Sequence, residues 1–212
     1  IKAEMPMDIL TKAWELGLVN TCIPAEYGGA GFTALDSMII TEALAYGCLG
    51  MNTAIMANDL ALLPILIGGT DEQKKRFFTP FTESYKLAAF CLTEPGNGSD
   101  AAGIKTTIKD AGDHYVVNGQ KMWITNAGYA DLFVVYGTYD SSLKHKGISA
   151  IVIEGKPEGL EIGEKEDRLS NITIDITEFK LKINKKDLSK IIEELVSNAI
   201  KFSVPGDRIK VS

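Results

Sequence analysis

The run FCLTEPGNGSD, Phe90 to Asp100, decides how this chain is read, and KMWITN, Lys121 to Asn126, answers it downstream. The first is a short apolar stretch ending at Thr93, then a turn rich in Gly and Pro, then Ser99 and Asp100. Gly96 and Gly98 permit positive φ and the close approach of a ligand to the main chain. The second reads as a strand carrying Trp123 and Thr125, an aromatic face beside a hydroxyl. Exposed turn amides near a flat aromatic suit a large, planar, anionic cofactor. A tight hairpin turn and a core tryptophan account for the same residues, so the chemistry stays open on this pattern alone.

Upstream of this run the apolar period is that of helices. Ile9, Leu10, Ala13, Trp14 and Leu18 recur at helical spacing, with Asp8 as candidate cap. Ala34 to Tyr46 repeats the pattern, with Met38, Ile39, Ala43 and Leu44 on the apolar face. Met51 to Ile67 is apolar nearly all round, which predicts a buried helix, bent or broken at Pro64. Thr70 and Gln73 fit a capping box for a short helix through Arg76, closed before Pro80. Gly28, Gly29 and Gly31 form a loop without the spacing of a dinucleotide fingerprint, and read as a flexible connector.

Downstream the period changes to two. Leu87 to Leu92, Thr106 to Lys109, His114 to Asn118, Lys121 to Thr125, Leu132 to Thr138 and Gly147 to Glu154 read as strands. Asp110 to Asp113 and Asn118-Gly119 read as hairpin turns between them. Six short strands in succession predict an antiparallel β-barrel. The fold class is therefore α+β, an N-terminal helical domain followed by that barrel.

Composition narrows the function classes. Of 212 residues 45% are hydrophobic and 24% charged, as in a soluble globular protein, and the net charge of −6 speaks against nucleic acid as a partner. No apolar run approaches the roughly 20 residues that span a bilayer. Cys22, Cys48 and Cys91 lack metal-ligand spacing, which predicts free and mostly buried thiols in a reducing compartment and no metal site. His114 and His145 read as surface residues.

TEPGNGSD followed by NGQKMWITN (Asn118 to Asn126) resembles the flavin-binding signature of the acyl-CoA dehydrogenases. IPAEYGGAGFTALDSMIITEALAYG (Ile23 to Gly47) resembles that family's N-terminal helical domain. The likeness is to the short- and medium-chain members and covers about residues 1–167. It implies a helical domain over residues 1–85, a flavin-binding middle domain over residues 86–167, and FAD-dependent α,β-dehydrogenation of acyl-CoA thioesters. By motif position, Phe90, Cys91, Leu92 and Thr93 would flank the isoalloxazine ring. Gly98 and Ser99 would lie at the turn against cofactor and substrate, with Ser99 also contacting the acyl-CoA. Trp123 would stack on the ring, with Ile124 beside it and Thr125 within reach of N5. Glu94 reads as a structural residue of the turn.

The same resemblance implies an electron-transfer flavoprotein as partner, homo-oligomers, and a cytoplasmic or mitochondrial matrix setting. It places the catalytic glutamate in a C-terminal helical domain, so none of these residues is assigned a catalytic role. The expectation is a fragment or chimera with little or no activity, and with its oligomeric state in doubt.

Composition shifts near Asp167. The net charge is −9 up to that residue and +3 from Arg168 onward, and Gly206 is the single glycine after it. Residues 168–212 predict strands at Ile172–Ile176, Phe179–Ile183 and Arg208–Val211, with a helix from Asp187 to Phe202. DLSKIIEELVSNAIKFSVPGDRIKV (Asp187 to Val211) resembles the N-box helix of sensor histidine kinases. That likeness implies an ATP-site remnant in which Asn198 ligates Mg²⁺, with Glu194 and Lys201 near the phosphates. A packing helix with solvated Glu and Lys accounts for the same residues.

Overall fold

A computed structural model describes residues 4–163, all within the compact unit Ile1–Arg168. Every expectation for the segment 168–212, including its strands, its helix and Glu194, Asn198 and Lys201, lies outside the described residues.

Four α-helices come first: α1 (Met7–Glu15), α2 (Ala34–Gly47), α3 (Leu49–Gly68) and α4 (Asp71–Glu83). Pro6 occupies the N-cap of α1 and makes no side-chain capping bond. Asp8 therefore lies inside the first turn, where its charge faces the positive end of the helix dipole instead of capping it. Thr33 with Asp36, and Thr70 with Gln73, form reciprocal capping boxes that start α2 and α4.

α4 does not stop before Pro80 but runs through it to Glu83. Phe77, Phe78 and Phe81 on its inner face are all buried, and this burial outweighs the hydrogen bond that the proline ring removes. α3 likewise continues through Pro64. The glycine loop after α1 is a compact turn and not a loose connector. Gly28 takes φ 87°, and a Cβ on Gly29 would lie 1.9 Å from the Ile23 carbonyl oxygen.

At 20 residues and a mean hydropathy of 1.4, α3 is long and apolar enough to cross a membrane, contrary to the reading that no run reaches that length. Here half of it is buried in the fold, and it carries three buried polar side chains, Asn52, Asn58 and Asp59. Asp59 accepts from Thr21 Oγ1 at 2.7 Å and from the Cys22 amide at 3.3 Å. The expectation of burial all round fails on the other half: Leu60, Leu63 and Ile67 are exposed. In α2 no residue is buried among the described residues, and Met38 and Ile39 are exposed.

The strands are β1 (Ala88–Cys91), β2 (Thr107–Asp110), β3 (Tyr115–Asn118), β4 (Leu132–Thr138) and β5 (Ile148–Glu154). They form one mixed sheet, not an antiparallel barrel. β4 is its axis. β1 lies parallel to its first half, from Ala88↔Leu132 to Cys91↔Val135. β2 meets its far end in parallel at Thr107↔Thr138, and β5 pairs antiparallel along its whole length. β2 and β3 form the hairpin expected around Asp110–Asp113.

The sheet stays open because the expected strand Lys121–Thr125 is not extended. Trp123 and Asn126 both take positive φ, 57° and 68°, so Asn118-Gly119 does not close a hairpin. β4, LFVVYGT, is buried on both faces, as its unbroken apolar run requires. Leu132 and Val134, with Ala88 of β1, pack on Ala61, Leu62, Phe78 and Phe81 of the helices. Phe133 and Val135, with Ala89 and Cys91, build the opposite face.

Candidate flavin site at the end of β1

β1 delivers Thr93 to the edge of the turn, and the segment after Gly119 runs back alongside it. The Met122 amide donates to the Thr93 carbonyl at 2.9 Å, which joins the two motif segments directly. Gly119 makes this approach possible, since a Cβ there would lie 2.3 Å from Thr106 Oγ1. The turn itself closes through reciprocal bonds of Glu94 and Asn97, 3.0 and 3.1 Å. Gly96 and Gly98 are not among the glycines with positive φ. The left-handed residues of the site are Trp123 and Asn126 instead.

The residues singled out in the sequence divide in two. Gly98 and Ser99 are exposed, and Trp123 retains 56% of its accessible surface. Thr93, Ile124 and Thr125 are half-buried around them. Among the described residues the Gly98 and Ser99 amides donate to no protein acceptor, and a Cβ on Gly98 would meet nothing within 4 Å. Two unengaged amides and the hydroxyls of Thr93, Ser99 and Thr125 are a donor set matched to the carbonyl and phosphate oxygens of FAD, with the exposed Trp123 ring as a face to stack on. On that chemistry the residues fit the cofactor.

Phe90 and Cys91 are adjacent in a strand and point to opposite faces. Phe90 packs on the helix side, its ring 5.1 Å from that of Tyr136 and tilted 56°. Cys91 is buried among Ala89, Ala130, Phe133 and Val135, and burial pushes its thiol up to about 12. Their side chains do not share a surface. Contact of both with one ring would run through the β1 backbone. Of the other cysteines, Cys22 is half-buried and Cys48 exposed, so only Cys91 is a fully buried thiol.

Sequence reasoning gave Glu94 a place in the turn but missed how it is held. Its carboxylate is 5% exposed and accepts from the Lys105 amide at 2.7 Å, the Thr106 amide at 2.9 Å, Thr106 Oγ1 at 2.5 Å and Lys121 Nζ at 2.9 Å. Burial pushes this carboxyl up, but the ammonium, the hydroxyl and the two amides more than offset it and bring it down to about 2. Glu94 is thus ionised and saturated with donors, which makes it unfit to abstract a proton.

A second polar set lies beneath the site and was also missed. Asn58 of α3 is fully buried. It donates to Asn20 Oδ1 at 3.0 Å and the Lys86 carbonyl at 2.8 Å, and accepts from the Ala88 amide at 2.8 Å. Asn126 Nδ2 donates to the carbonyls of Ala54 at 2.9 Å and Ala88 at 3.2 Å. Helix, first strand and the end of KMWITN are joined by amide side chains. A single sequence holds no periodic signal for such bonds; only the unlikely polarity of Asn58 in an apolar helix hints at them.

Comparison with known proteins bears on the same residues. Residues 1–84 match the acyl-CoA dehydrogenase N-terminal domain, and residues 89–183 match the acyl-CoA dehydrogenase middle domain. The second match runs past residue 167, so part of the stretch set apart on composition is middle-domain sequence. The probable medium-chain specific acyl-CoA dehydrogenase 2, mitochondrial, of Caenorhabditis briggsae is 40% identical over 169 residues, 78% of this chain and 41% of that protein. The short-chain specific acyl-CoA dehydrogenase, mitochondrial, of Rattus norvegicus is 42% identical over 165 residues, 77% of this chain and 40% of that one.

Among solved structures, butyryl-CoA dehydrogenase from Megasphaera elsdenii superposes with a TM-score of 0.70 at 35% identity, covering 76% of this chain and 43% of that one. The acyl-CoA dehydrogenase complexed with FAD from Bacillus anthracis gives 0.68 at 38% identity, covering 76% and 27%. The chain spans about two-fifths of the length of the curated relatives it matches. With matches that take in residues 1–84 and 89–183 in order, the chain belongs to the acyl-CoA dehydrogenase family, a family of oxidoreductases, and carries its N-terminal and middle domains.

Proposed function

We propose that this chain is the flavin-binding part of a short- or medium-chain acyl-CoA dehydrogenase, with a helical domain over residues 1–85 and a flavin-binding domain from residue 86 onward. The observation that carries the reading is the Met122–Thr93 bond, which sets TEPGNGSD and KMWITN side by side with Gly98, Ser99 and Trp123 open to a ligand. The reaction is α,β-dehydrogenation of an acyl-CoA thioester: the α-proton goes to a carboxylate and the β-hydride to FAD, which is the acceptor when bound.

In this reading the Gly98 and Ser99 amides hold acceptor oxygens of cofactor or substrate, and the Ser99 hydroxyl contacts the acyl-CoA. Trp123 supplies the stacking face, and Thr125 donates a hydroxyl hydrogen bond toward the ring. Thr93, Leu92 and the β1 backbone form the floor. By family resemblance the electron acceptor is an electron-transfer flavoprotein, the assembly a homo-oligomer, and the setting the mitochondrial matrix or the bacterial cytoplasm; the two curated relatives above are mitochondrial.

A general base must lie within about 3 Å of the proton it takes. Glu94, the buried carboxylate at the turn, is held ionised by four donors and cannot serve. Loss of a positioned base costs roughly 10²- to 10⁴-fold. Purified as these 212 residues and assayed with excess FAD and an artificial acceptor, the polypeptide is expected to give enoyl-CoA at background from short, medium and long acyl-CoAs. Robust turnover with any of them would mean that a carboxylate among these residues acts as base.

The histidine-kinase likeness proposes nucleotide binding through Glu194, Asn198 and Lys201. The residues from Asp187 to Val211 alone offer too few contacts to offset the cost of association. Calorimetry with Mg²⁺-ATP is expected to show no binding, and low-micromolar binding would overturn that.

A further inference from the structure

A buried charge, Glu94, and a largely covered one, Lys121, lie beside the site without belonging to its ligand-facing set. The Lys121 side chain is 11% exposed and its partner's 5%. Lys121 Nζ donates to Glu94 Oε1 at 2.9 Å and to the Leu92 carbonyl at 3.0 Å. Glu94 in turn holds the Lys105 and Thr106 amides and the Thr106 hydroxyl. One ion pair thus ties the end of β1, the turn, the entry to β2 and the start of KMWITN, and the Met122–Thr93 bond lies next to it.

Removing two charges from water is costly, and an apolar pair of the same volume fills such a space at least as stably. Apolar contact is non-directional, whereas this pair has its lone pairs and protons committed to named partners at fixed distances. We propose that Glu94 and Lys121 are positioning residues that fix the register of the turn at residues 94–99 against residues 121–126, and with it the shape of the flavin-binding surface. The flavin half of this inference rests on the function proposed above; the register half does not.

Two measurements on the 212-residue chain test it. Without FAD, amide hydrogen exchange in Lys121→Met is expected to rise tenfold or more at Met122, Lys105 and Thr106 together, while amides of α1 keep their wild-type rates. With FAD, fluorescence titration at a temperature where each variant is folded is expected to show affinity at least tenfold weaker for Lys121→Met and Glu94→Gln. Lys121→Arg, which can donate to both acceptors, recovers most of it. Leu10→Ala, a core variant of the α1 cluster, leaves the affinity of the folded protein unchanged.

The double variant Glu94→Gln/Lys121→Met leaves no lone buried charge. It is expected to regain the melting midpoint lost by the single variants but not the FAD affinity, a separation that a merely structural pair would not give. Exchange changes confined to Met122, or wild-type FAD affinity in folded Lys121→Met, would overturn the proposal. A wild-type chain that takes up no FAD overturns the flavin reading alone, and the exchange measurement still decides the register.

Discussion

Trp123 holds a left-handed backbone, φ 57°, with its indole more than half exposed. That conformation is rare for a bulky residue and costs about 1–3 kcal/mol, a cost that structures tolerate mainly where function uses it. Trp123→Gly and Trp123→Ala are therefore expected to weaken FAD binding equally. The Gly variant should be the more stable by about 1 kcal/mol in denaturant titration, because alanine keeps the strain. An Ala variant as stable as the Gly variant would show that the strain is absent. At Glu94 the carboxyl lies below its ordinary 4.5, at about 2. Its contribution is therefore present above about pH 4.5 and lost as the pH falls toward 2, on the order of 3 kcal/mol for a buried group. Stability measured against pH should fall steeply over that window in the wild type and less steeply in Glu94→Gln. Equal slopes would contradict the assignment. The identities of these residues were legible in the sequence, but their conformations were not. Gly96 and Gly98 permit positive φ, yet it occurs at Trp123 and Asn126, since a residue's permissiveness does not say where tertiary contacts demand a bend.

Elements were legible where their signal is local. The capping box of α4, the hairpin between β2 and β3, and β4 residue by residue all lay where pattern and turn chemistry put them. They were misread where distant packing decides. α4 passes Pro80 because three phenylalanines hold its last turn, and Lys121–Thr125 is unextended because Lys121 and Asn126 are anchored to other elements. Asn58 likewise anchors α3 to the start of β1. Asn58→Ala strands the Ala88 amide and the Lys86 carbonyl in the interior, for an expected loss of about 2–4 kcal/mol in chemical denaturation. A loss below 1 kcal/mol would show that α3 and β1 relax around the gap. Gly119→Ala forces a methyl against Thr106, and about 1–3 kcal/mol of destabilisation is expected from such overpacking.

At the scale of the whole molecule the helical half and the sheet half were both foreseeable from the change of hydrophobic period near Tyr85, while closure of the sheet was not. Barrel closure depends on which strands pair, and period alone carries no pairing information. The parallel partnership of β1 and β4 brings together residues more than forty positions apart, and no turn signal announces it. The exposed apolar side chains of α2 and α3, Met38, Ile39 and Leu60 among them, were likewise expected inside. What the two halves jointly produce is one open surface at the end of β1, the surface proposed to bind FAD. Titration of isotope-labelled chain with FAD, followed residue by residue by NMR, tests this most directly. The Gly98, Ser99 and Thr125 amides and the Trp123 indole are expected to shift together along one saturable isotherm while α1 stays still. Saturable shifts elsewhere, with these four signals unmoved, would contradict it.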